Sequence, residues 1–373
     1  MLFRSHLRTR PRPRLPQPPC SDRLTLRRGA GRRSGQSHVP HGRRRPGSSR
    51  WPARVPRPHK GKKFPPDTKD LVLVAAKKLN YRPNQLAVGL LKKHTQTLGL
   101  IIPDISNVFF SEFAKGVEDR GREEQYSIIL CNSDDRFHQE QQSINILADR
   151  GVDGIIIILS SESFGSKNEE CLVALRATGK PVILADCFNE VVDFSTMEID
   201  NRKGSALAVE HLVSLGHSRI ACITGPQGLK SNKERMAGFT TTMRDHDIPL
   251  DDRLIFEGDF RYQSGYDGAL KLLKDCPTAI YCHNDMMAFG ALRALRDSGI
   301  RVPKDVSLVG FDDVFFSRYM EVPLTTVKQP IYKMGRQTAS LLLEEIDNHE
   351  KAPQHVVFAP RLVVRASTAA PAR

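Results

Sequence analysis

Residues 284–313, NDMMAFGALRALRDSGIRVPKDVSLVGFDD, join one amphipathic helical stretch to one apolar strand. The part DMMAFGALRALRDSG repeats apolar residues at helical spacing and ends at a glycine, a common stop signal of helices. VSLVGFD is apolar almost throughout, as expected for a parallel strand that is covered on both faces. A helix followed by such a strand predicts one unit of an α/β fold.

The same alternation extends outward from this unit in both directions. Further strand-like runs are nearly all apolar, namely TLGLIIP, YSIILCN, GIIIIL, PVILAD, RIACITG and AIYCHN. Amphipathic stretches such as SEFAKGVEDRGREE, QEQQSINILADRG and KGSALAVEHLVSLG lie between them. This is too much chain for one sheet. The sequence therefore predicts two α/β lobes, each built on a doubly wound parallel sheet, with a ligand cleft at the strand ends.

We divide the chain into three parts. Residues 1–63 are rich in Arg and Pro and show neither helical nor strand periodicity, which predicts a disordered basic segment. Residues 64–95 contain two helical stretches, DTKDLVLVAAKKLN and NQLAVGLL. Residues 96–371 form the α/β core. We expect one lobe to combine about 97–199 with 330–356, and the other to combine about 200–329 with 357–371.

The positive charge of the chain belongs to its first part. Residues 1–63 carry 19 of the 56 Lys and Arg residues and one of the 42 acidic residues, so the other 310 residues hold 37 basic and 41 acidic side chains. A basic tail of this kind either binds phosphate backbones without base selectivity or was never selected to fold. Both interpretations stay open at this point.

Cysteine usage and hydropathy point to the cytoplasm. None of the seven cysteines forms a C-x-x-C pair, and several lie in apolar runs, which favours reduced buried thiols over disulfides or a metal site. No 18-residue apolar run is present, and the basic N-terminus lacks the apolar region of a secretory signal. We expect no membrane span, no metal and no cofactor.

Polar and aromatic side chains follow the predicted strands, where ligands bind in such folds. Aromatic rings can stack on a sugar ring, and planar polar groups can bridge neighbouring hydroxyls, so the set predicts sugar binding. The competing interpretations are core packing for the adjacent phenylalanines and helix capping for the Asn-Asp pair. The candidate site residues are Asn107, Phe109, Phe110, Asp186, Arg235, Phe260, Asn284, Asp285, Asp312 and Gln329.

Several segments of the sequence resemble those of a known protein family. VAAKKLNYRPNQLAVGLL, HLVSLGHSRIACITGP, LTTVKQP and residues 284–313 closely resemble bacterial transcription regulators of the lactose-repressor (LacI/GalR) family, over roughly residues 61 to 370. The resemblance implies a two-lobed core like that of periplasmic binding proteins. The strand-end set is similar to the pattern of ribose repressors, which implies ribose or a related pentose as effector. Cys187 departs from that pattern, which usually has Arg.

A purine-responsive regulator of the same family is the runner-up. Ser231 and Asp285, with the aromatic residues and Arg235 of the candidate set, would also fit a base site. The loop GPQGLKSNKER lacks the Arg-rich purine pattern, which disfavours that alternative.

The stretch NQLAVGLL at 84–91 resembles the family's hinge helix. It is too short to be stable alone. The resemblance implies that it folds when two subunits of a homodimer meet on operator DNA, in the minor groove, where a leucine wedges between base pairs. Leu90 matches that leucine, Ala87 lies on the same face, and Asn84 would approach a phosphate.

The N-terminus departs from the family. Regulators of this kind begin with a helix-turn-helix that reads the major groove. Here only the segment at 67–80 resembles its third helix, so we expect residues 1–60 to come from a frameshift or a misassigned start, or else to be a basic arm. A second class of function is therefore a cytosolic sugar-binding protein without a working DNA reader.

An enzyme is the least favoured class. The sequence has no G-x-S-x-G, no P-loop and no metal-ligand spacing. His283 next to Asp285 could form a catalytic pair, but a cleft or capping role is favoured.

Overall fold

The structure is a computed structural model that describes residues 66–81, 94–164, 167–186, 194–348 and 352–372. The predicted disordered segment 1–63 and the predicted hinge helix, with Asn84, Ala87 and Leu90, lie outside the described residues. The helical stretch expected at 67–80 is present as α1, Pro66–Lys78.

The core alternates strands and helices, as its hydrophobic pattern predicts. Its strands are β1 Thr97–Ile102, β2 Ser127–Asn132, β3 Gly154–Ile157, β4 Val182–Ala185, β5 Ser195–Ile199, β6 Ile220–Thr224, β7 Ile255–Glu257, β8 Ala279–Cys282, β9 Ser307–Asp312, β10 Thr325–Lys328, β11 His355–Phe358 and β12 Arg361–Val363. Its helices are α2 Val108–Glu123, α3 Phe137–Asp149, α4 Asn168–Ala177, α5 Asn201–Ser214, α6 Lys230–Asp245, α7 Tyr262–Leu272, α8 Asp285–Asp297 and α9 Ile331–Asp347.

These strands form two six-stranded sheets. The first sheet has the order β11-β5-β4-β3-β1-β2, and all of its pairings are parallel. The second has the order β12-β10-β9-β8-β6-β7, and only β12 runs antiparallel to its neighbour. Strands β3, β4, β6, β8 and β9 are buried at every position, because helices cover both faces. The two-lobed α/β core of the predicted fold class is confirmed.

The chain passes between the two lobes three times. It leaves the first sheet after β5, returns after β10 through α9, and leaves again between β11 and β12. At one crossing Asp200 N donates to Phe358 O at 3.0 Å, so two of the connecting segments are hydrogen-bonded to each other. Strand β11 stays in the first sheet through Phe358, two residues past the approximate boundary expected from the sequence.

Helix α9 belongs to the first lobe. A β-carbon at Gly116 or at Gly335 would meet the backbone of the opposite helix, so the two glycines let α2 and α9 pack with their backbones in close contact.

Among the described residues, every helix is too short or too polar to cross a lipid bilayer.

Candidate functional site

The carboxyl ends of the strands in both sheets face one cleft between the lobes. The cleft encloses about 750 Å³, its open mouth included. This edge of the sheets is where ligands bind in open α/β folds. Nine of the ten candidate residues line it, namely Asn107, Phe109, Phe110, Asp186, Arg235, Phe260, Asn284, Asp312 and Gln329.

Two aromatic rings of the cleft come from the first turn of α2. Asn107 caps this helix by accepting a hydrogen bond from Phe109 N at 3.1 Å, so its side-chain oxygen is already used locally. The rings of Phe109 and Phe110 meet edge to face, with centroids 5.2 Å apart and planes at 87°. Phe109 is buried and Phe110 partly exposed, so the second ring offers more of its surface to a ligand.

Phe260 supplies the third ring from the opposite lobe. Its backbone has φ of 64°, an uncommon conformation for a bulky residue, and Asn284 Nδ2 donates to its carbonyl at 2.8 Å. Asn284 Oδ1 accepts from Met287 N at 2.9 Å and so caps α8. Both the oxygen and the nitrogen of the Asn284 amide are therefore hydrogen-bonded within the protein. This side chain supports the Phe260 ring as well as lining the cleft.

Arg235 is the buried cation of the site. It projects from α6, where Nε donates to Asn201 Oδ1 at 2.8 Å and Nη1 donates to His283 O. Its guanidinium lies 3.8 Å from the centroid of the Phe311 ring, and a guanidinium nitrogen lies 4.0 Å from Asp312 Oδ1. These contacts hold the planar guanidinium in one orientation, which bidentate hydrogen bonding to a ligand requires.

Asp312 and Gln329 form a buried pair behind it. Gln329 Nε2 donates to Asp312 Oδ1 at 2.7 Å, and both side chains are almost fully buried. Burial raises the pKa of the Asp312 carboxyl well above its ordinary value, although Arg235 opposes this shift. Gln329 Oε1 is buried, and no described residue donates to it.

Asp186 carries a second unpartnered oxygen. It follows β4 with φ of 52°, and its Oδ1 is buried without a donor among the described residues. Burial raises the pKa of this carboxyl to about 6, while Arg235 lowers it. Buried acceptors are normally hydrogen-bonded. Asp186 and Gln329 therefore leave two acceptor sites that O–H or N–H groups of a ligand could satisfy.

Asp285 does not line the cleft, and its assignment to the effector site was wrong. Its side chain is fully buried, where Oδ1 accepts from Thr326 Oγ1 at 2.6 Å and Oδ2 accepts from Ser317 Oγ at 2.5 Å and Val314 N at 3.0 Å. The space exists because Gly310 on β9 has no side chain. Burial raises the pKa of Asp285 to about 7. The residue joins α8 to the segments after β9 and on β10.

His283 is structural rather than a partner of Asp285. Its Nδ1 lies 2.7 Å from Asn232 Oδ1, which also accepts from Gly225 N and cannot donate. Nδ1 therefore carries the hydrogen, and Nε2 can accept from the Cys222 thiol at 3.3 Å. Burial lowers the pKa of His283 well below its ordinary value, so the ring is neutral.

The structure adds lining residues outside the ten candidates, and one of them, Ser231, belongs to the purine alternative. Asp104 and Asp135 follow β1 and β2, so the strand-end rule could have found them. Phe164 and Leu229 come from loops and gave no sequence signal. The further lining residues are Pro103, Asp104, Asp135, Ile158, Leu159, Phe164, Leu229, Ser231, Asp259 and Arg261.

Comparison with known proteins agrees with this architecture. A family model described as a periplasmic binding protein-like domain matches residues 209–368. The HTH-type transcriptional regulator DegA of Bacillus subtilis (strain 168) is 35% identical over 302 residues, covering 81% of this chain and 89% of that protein. The catabolite control protein A of Priestia megaterium is 36% identical over 307 residues, covering 81% and 91%.

One similar solved structure contains a bound ligand. The LacI family transcriptional regulator from Enterococcus faecium with bound ribose is 32% identical, with a TM-score of 0.67 over 74% of this chain and 99% of that one. The fold, the cleft and these relatives define a transcriptional regulator with a periplasmic-binding-protein-like core. The chain belongs to the LacI family of transcriptional regulators.

Proposed function

We propose that this regulator binds a small neutral sugar, ribose or a related pentose, in the cleft. The observation that carries the proposal is the pair of buried, unpartnered acceptors, Asp186 Oδ1 and Gln329 Oε1, next to three aromatic rings. Sugar hydroxyls can donate to both acceptors while the C–H face of the ring packs on the aromatic surface. The ribose bound to the Enterococcus faecium regulator supports the same ligand class.

The charge of the cleft favours a neutral ligand over a phosphorylated one. Two guanidinium groups line the cleft, Arg235 and Arg261, against five carboxyl groups, Asp104, Asp135, Asp186, Asp259 and Asp312. A phosphate would add negative charge to a cleft in which carboxyl groups already outnumber guanidinium groups, which is unfavourable. We therefore expect free ribose to bind better than ribose 5-phosphate.

A purine is the second candidate. Ser231 lines the cleft together with Phe110 and Phe260, and a flat base could lie between aromatic rings while its N–H groups reach the unpartnered acceptors. Asp285, which the purine alternative also used, is occupied elsewhere, and this weakens that candidate.

Calorimetric titration distinguishes the two ligands. We expect heat with ribose, and an affinity about tenfold lower in Phe260→Ala, because one stacking surface is lost. Phe315→Ala is the control, since Phe315 is 54% exposed and does not line the cleft. Heat with adenine or guanine but with no sugar would support the purine candidate, and no heat with either class would contradict both.

We further propose that the effector acts on operator DNA through a homodimer. By family membership the hinge segment at 84–91, with Asn84, Ala87 and Leu90, would enter the minor groove, and effector binding would change the affinity for DNA. Selection of bound sequences from random duplex DNA, with and without ribose, tests this. Enrichment of one ribose-dependent motif is the expected result, whereas sugar binding without any enrichment would favour the sugar-binding protein that lacks a DNA reader.

A further inference from the structure

Arg261 reaches from the second lobe across the mouth of the cleft to the first lobe. It follows β7 in the chain, and its Nε lies 3.7 Å from Oδ2 of Asp104, which follows β1. Its charge also acts on Asp135, which follows β2, and lowers the pKa of that carboxyl against the larger effect of burial. One cation thus faces the ends of two adjacent strands of the opposite lobe.

The residues on both sides of this contact are hydrogen-bonded within their own lobes. Arg261 N donates to Asp259 Oδ1 at 2.9 Å, and Asp104 Oδ1 accepts from Ser106 N at 2.9 Å. Asp135 Oδ1 accepts from Ser161 N at 2.6 Å. These local hydrogen bonds need no ligand, so the electrostatic contact between the lobes is prepared before any effector arrives.

The ion pair is exposed enough to respond to salt. The Arg261 side chain is 55% exposed and that of Asp104 is 22% exposed. Attraction between such groups is weak and is screened by dissolved ions. Both residues line the cleft, so any motion that opens its mouth must separate them.

We propose that Arg261 is an electrostatic latch: it favours the closed cleft and makes the affinity for the effector depend on ionic strength. The proposal rests on the proposed function, because closure matters only if the cleft binds an effector. The latch acts by biasing the equilibrium between open and closed lobes, which is a difference in free energy between two states of one protein.

The binding test uses the full chain, ribose and two salt concentrations. In low salt, we expect Arg261→Gln to bind ribose about three- to tenfold more weakly than the unmodified chain, as for loss of one or two exposed ion pairs. The unmodified chain should lose affinity when NaCl rises from about 50 to about 500 mM, whereas the variant should change little. The matched control is Arg293→Gln, because Arg293 is 58% exposed and pairs with Asp297 inside one lobe.

A double-mutant cycle with Asp104→Asn tests the partner. Asparagine keeps the Oδ1 acceptor for Ser106 and replaces the Oδ2 that faces Arg261 by a neutral NH2 group. If the latch is correct, the double variant binds ribose no more weakly than Arg261→Gln alone. If Arg261→Gln loses the same affinity at both salt concentrations, Arg261 contacts the sugar directly. If the losses caused by the two single substitutions add fully in the double variant, Arg261 and Asp104 are not paired. Either result overturns the proposal.

Hydrogen exchange on the effector-free chain separates this proposal from the choice of effector. Amides of residues 104–107 and 259–262 should exchange faster in Arg261→Gln, and faster in the unmodified chain when salt is raised. If no sugar binds but this exchange pattern appears, the latch stands and the proposed effector falls. Exchange that is unchanged by both the substitution and the salt overturns the latch.

Discussion

At the scale of single residues, the cleft buries ionisable groups, and this burial lowers the stability of the folded chain. Asp186 and Asp312 are both shifted toward the protonated form by burial, and Asp186 has one oxygen without a donor among the described residues. A buried, incompletely paired carboxylate destabilises the folded chain. A ligand that donates hydrogen bonds removes part of this cost, and so the same groups that weaken the free protein can strengthen binding.

Replacing Asp186 should therefore stabilise the effector-free protein. The pKa of Asp186 is raised to about 6, so the carboxyl is more protonated in the folded chain than in the unfolded chain. Ionisation then destabilises the fold above about pH 6, and the penalty disappears as the pH falls toward 4. We expect Asp186→Asn to raise the free energy of unfolding by about 1–3 kcal/mol near pH 7.5 and to abolish ribose binding.

Urea unfolding at several pH values measures this effect. Asparagine tolerates the positive φ of residue 186, so backbone strain does not confuse the comparison. The contrasting variant is Asp305→Asn, since Arg301 lowers the pKa of Asp305 to about 2 and its loss should destabilise the chain at neutral pH. A stabilising effect of Asp186→Asn that persists unchanged at pH 4 would show that ionisation is not the cause.

The strand-end rule explains which site residues could be predicted. It found nine lining residues because parallel strands bring their carboxyl ends to one edge. It was wrong for Asp285 because the chain turns into α8 there: Asn284 takes the capping position facing the cleft, and the next side chain points under β9. Which of two neighbouring polar residues faces a ligand depends on the helix start, and sequence alone does not specify that rotation.

At the scale of elements, loops before helices build much of the site. The segment after β6 begins with Gly225, which lies against the ring of Phe260, and it continues to Leu229 at the start of α6. A β-carbon at residue 225 would overlap that ring, whereas one at Gly228 would lie 3.9 Å from its nearest neighbour, Ser161 O. Two glycines in one loop therefore have different tolerances.

This difference predicts the outcome of two matched substitutions. We expect Gly225→Ala to displace the Phe260 ring and to weaken ribose binding by about tenfold or more, because the stacking surface moves. Gly228→Ala should bind ribose within about twofold of the unmodified chain. The measurement is calorimetric titration of both variants. Equal affinity of the two would mean that the position of Phe260 does not matter for the ligand.

The strands that the sequence predicts best are the most apolar ones. Strand β9 is buried at every position and β1 at every position but its first, and both stand out as apolar runs. The short strands β7 and β12 have only three residues each and lie at sheet edges, where half-exposed positions dilute the pattern. Strand β5 was not recognised either, because it contains buried Ser195 and Thr196, whose hydroxyls bond to Glu345 and His355.

At the scale of the whole core, three chain crossings tie the lobes together. Each lobe depends on segments that are distant in sequence, so local unfolding of one lobe strains the connections to the other. We expect calorimetry to show one cooperative transition for the core. Ribose at 100 times its dissociation constant should stabilise the chain by about 2.7 kcal/mol and raise the melting temperature by a few degrees.

The expected control is Phe260→Ala, which should melt as one transition that shifts less at the same ribose concentration. Two separate transitions, only one of which responds to ribose, would contradict the coupling of the lobes. A shift caused equally by a sugar that gives no heat of binding would point to a general solvent effect instead.

The three crossings also limit how such a regulator can diversify. Exchange of the second lobe with that of a relative would need three joints, near Asp200, before α9 and between β11 and β12. A single recombination event would instead produce hybrid sheets, with strands from two parents paired in one core. New ligand preferences are therefore more accessible through point substitutions in the cleft than through the shuffling of whole lobes.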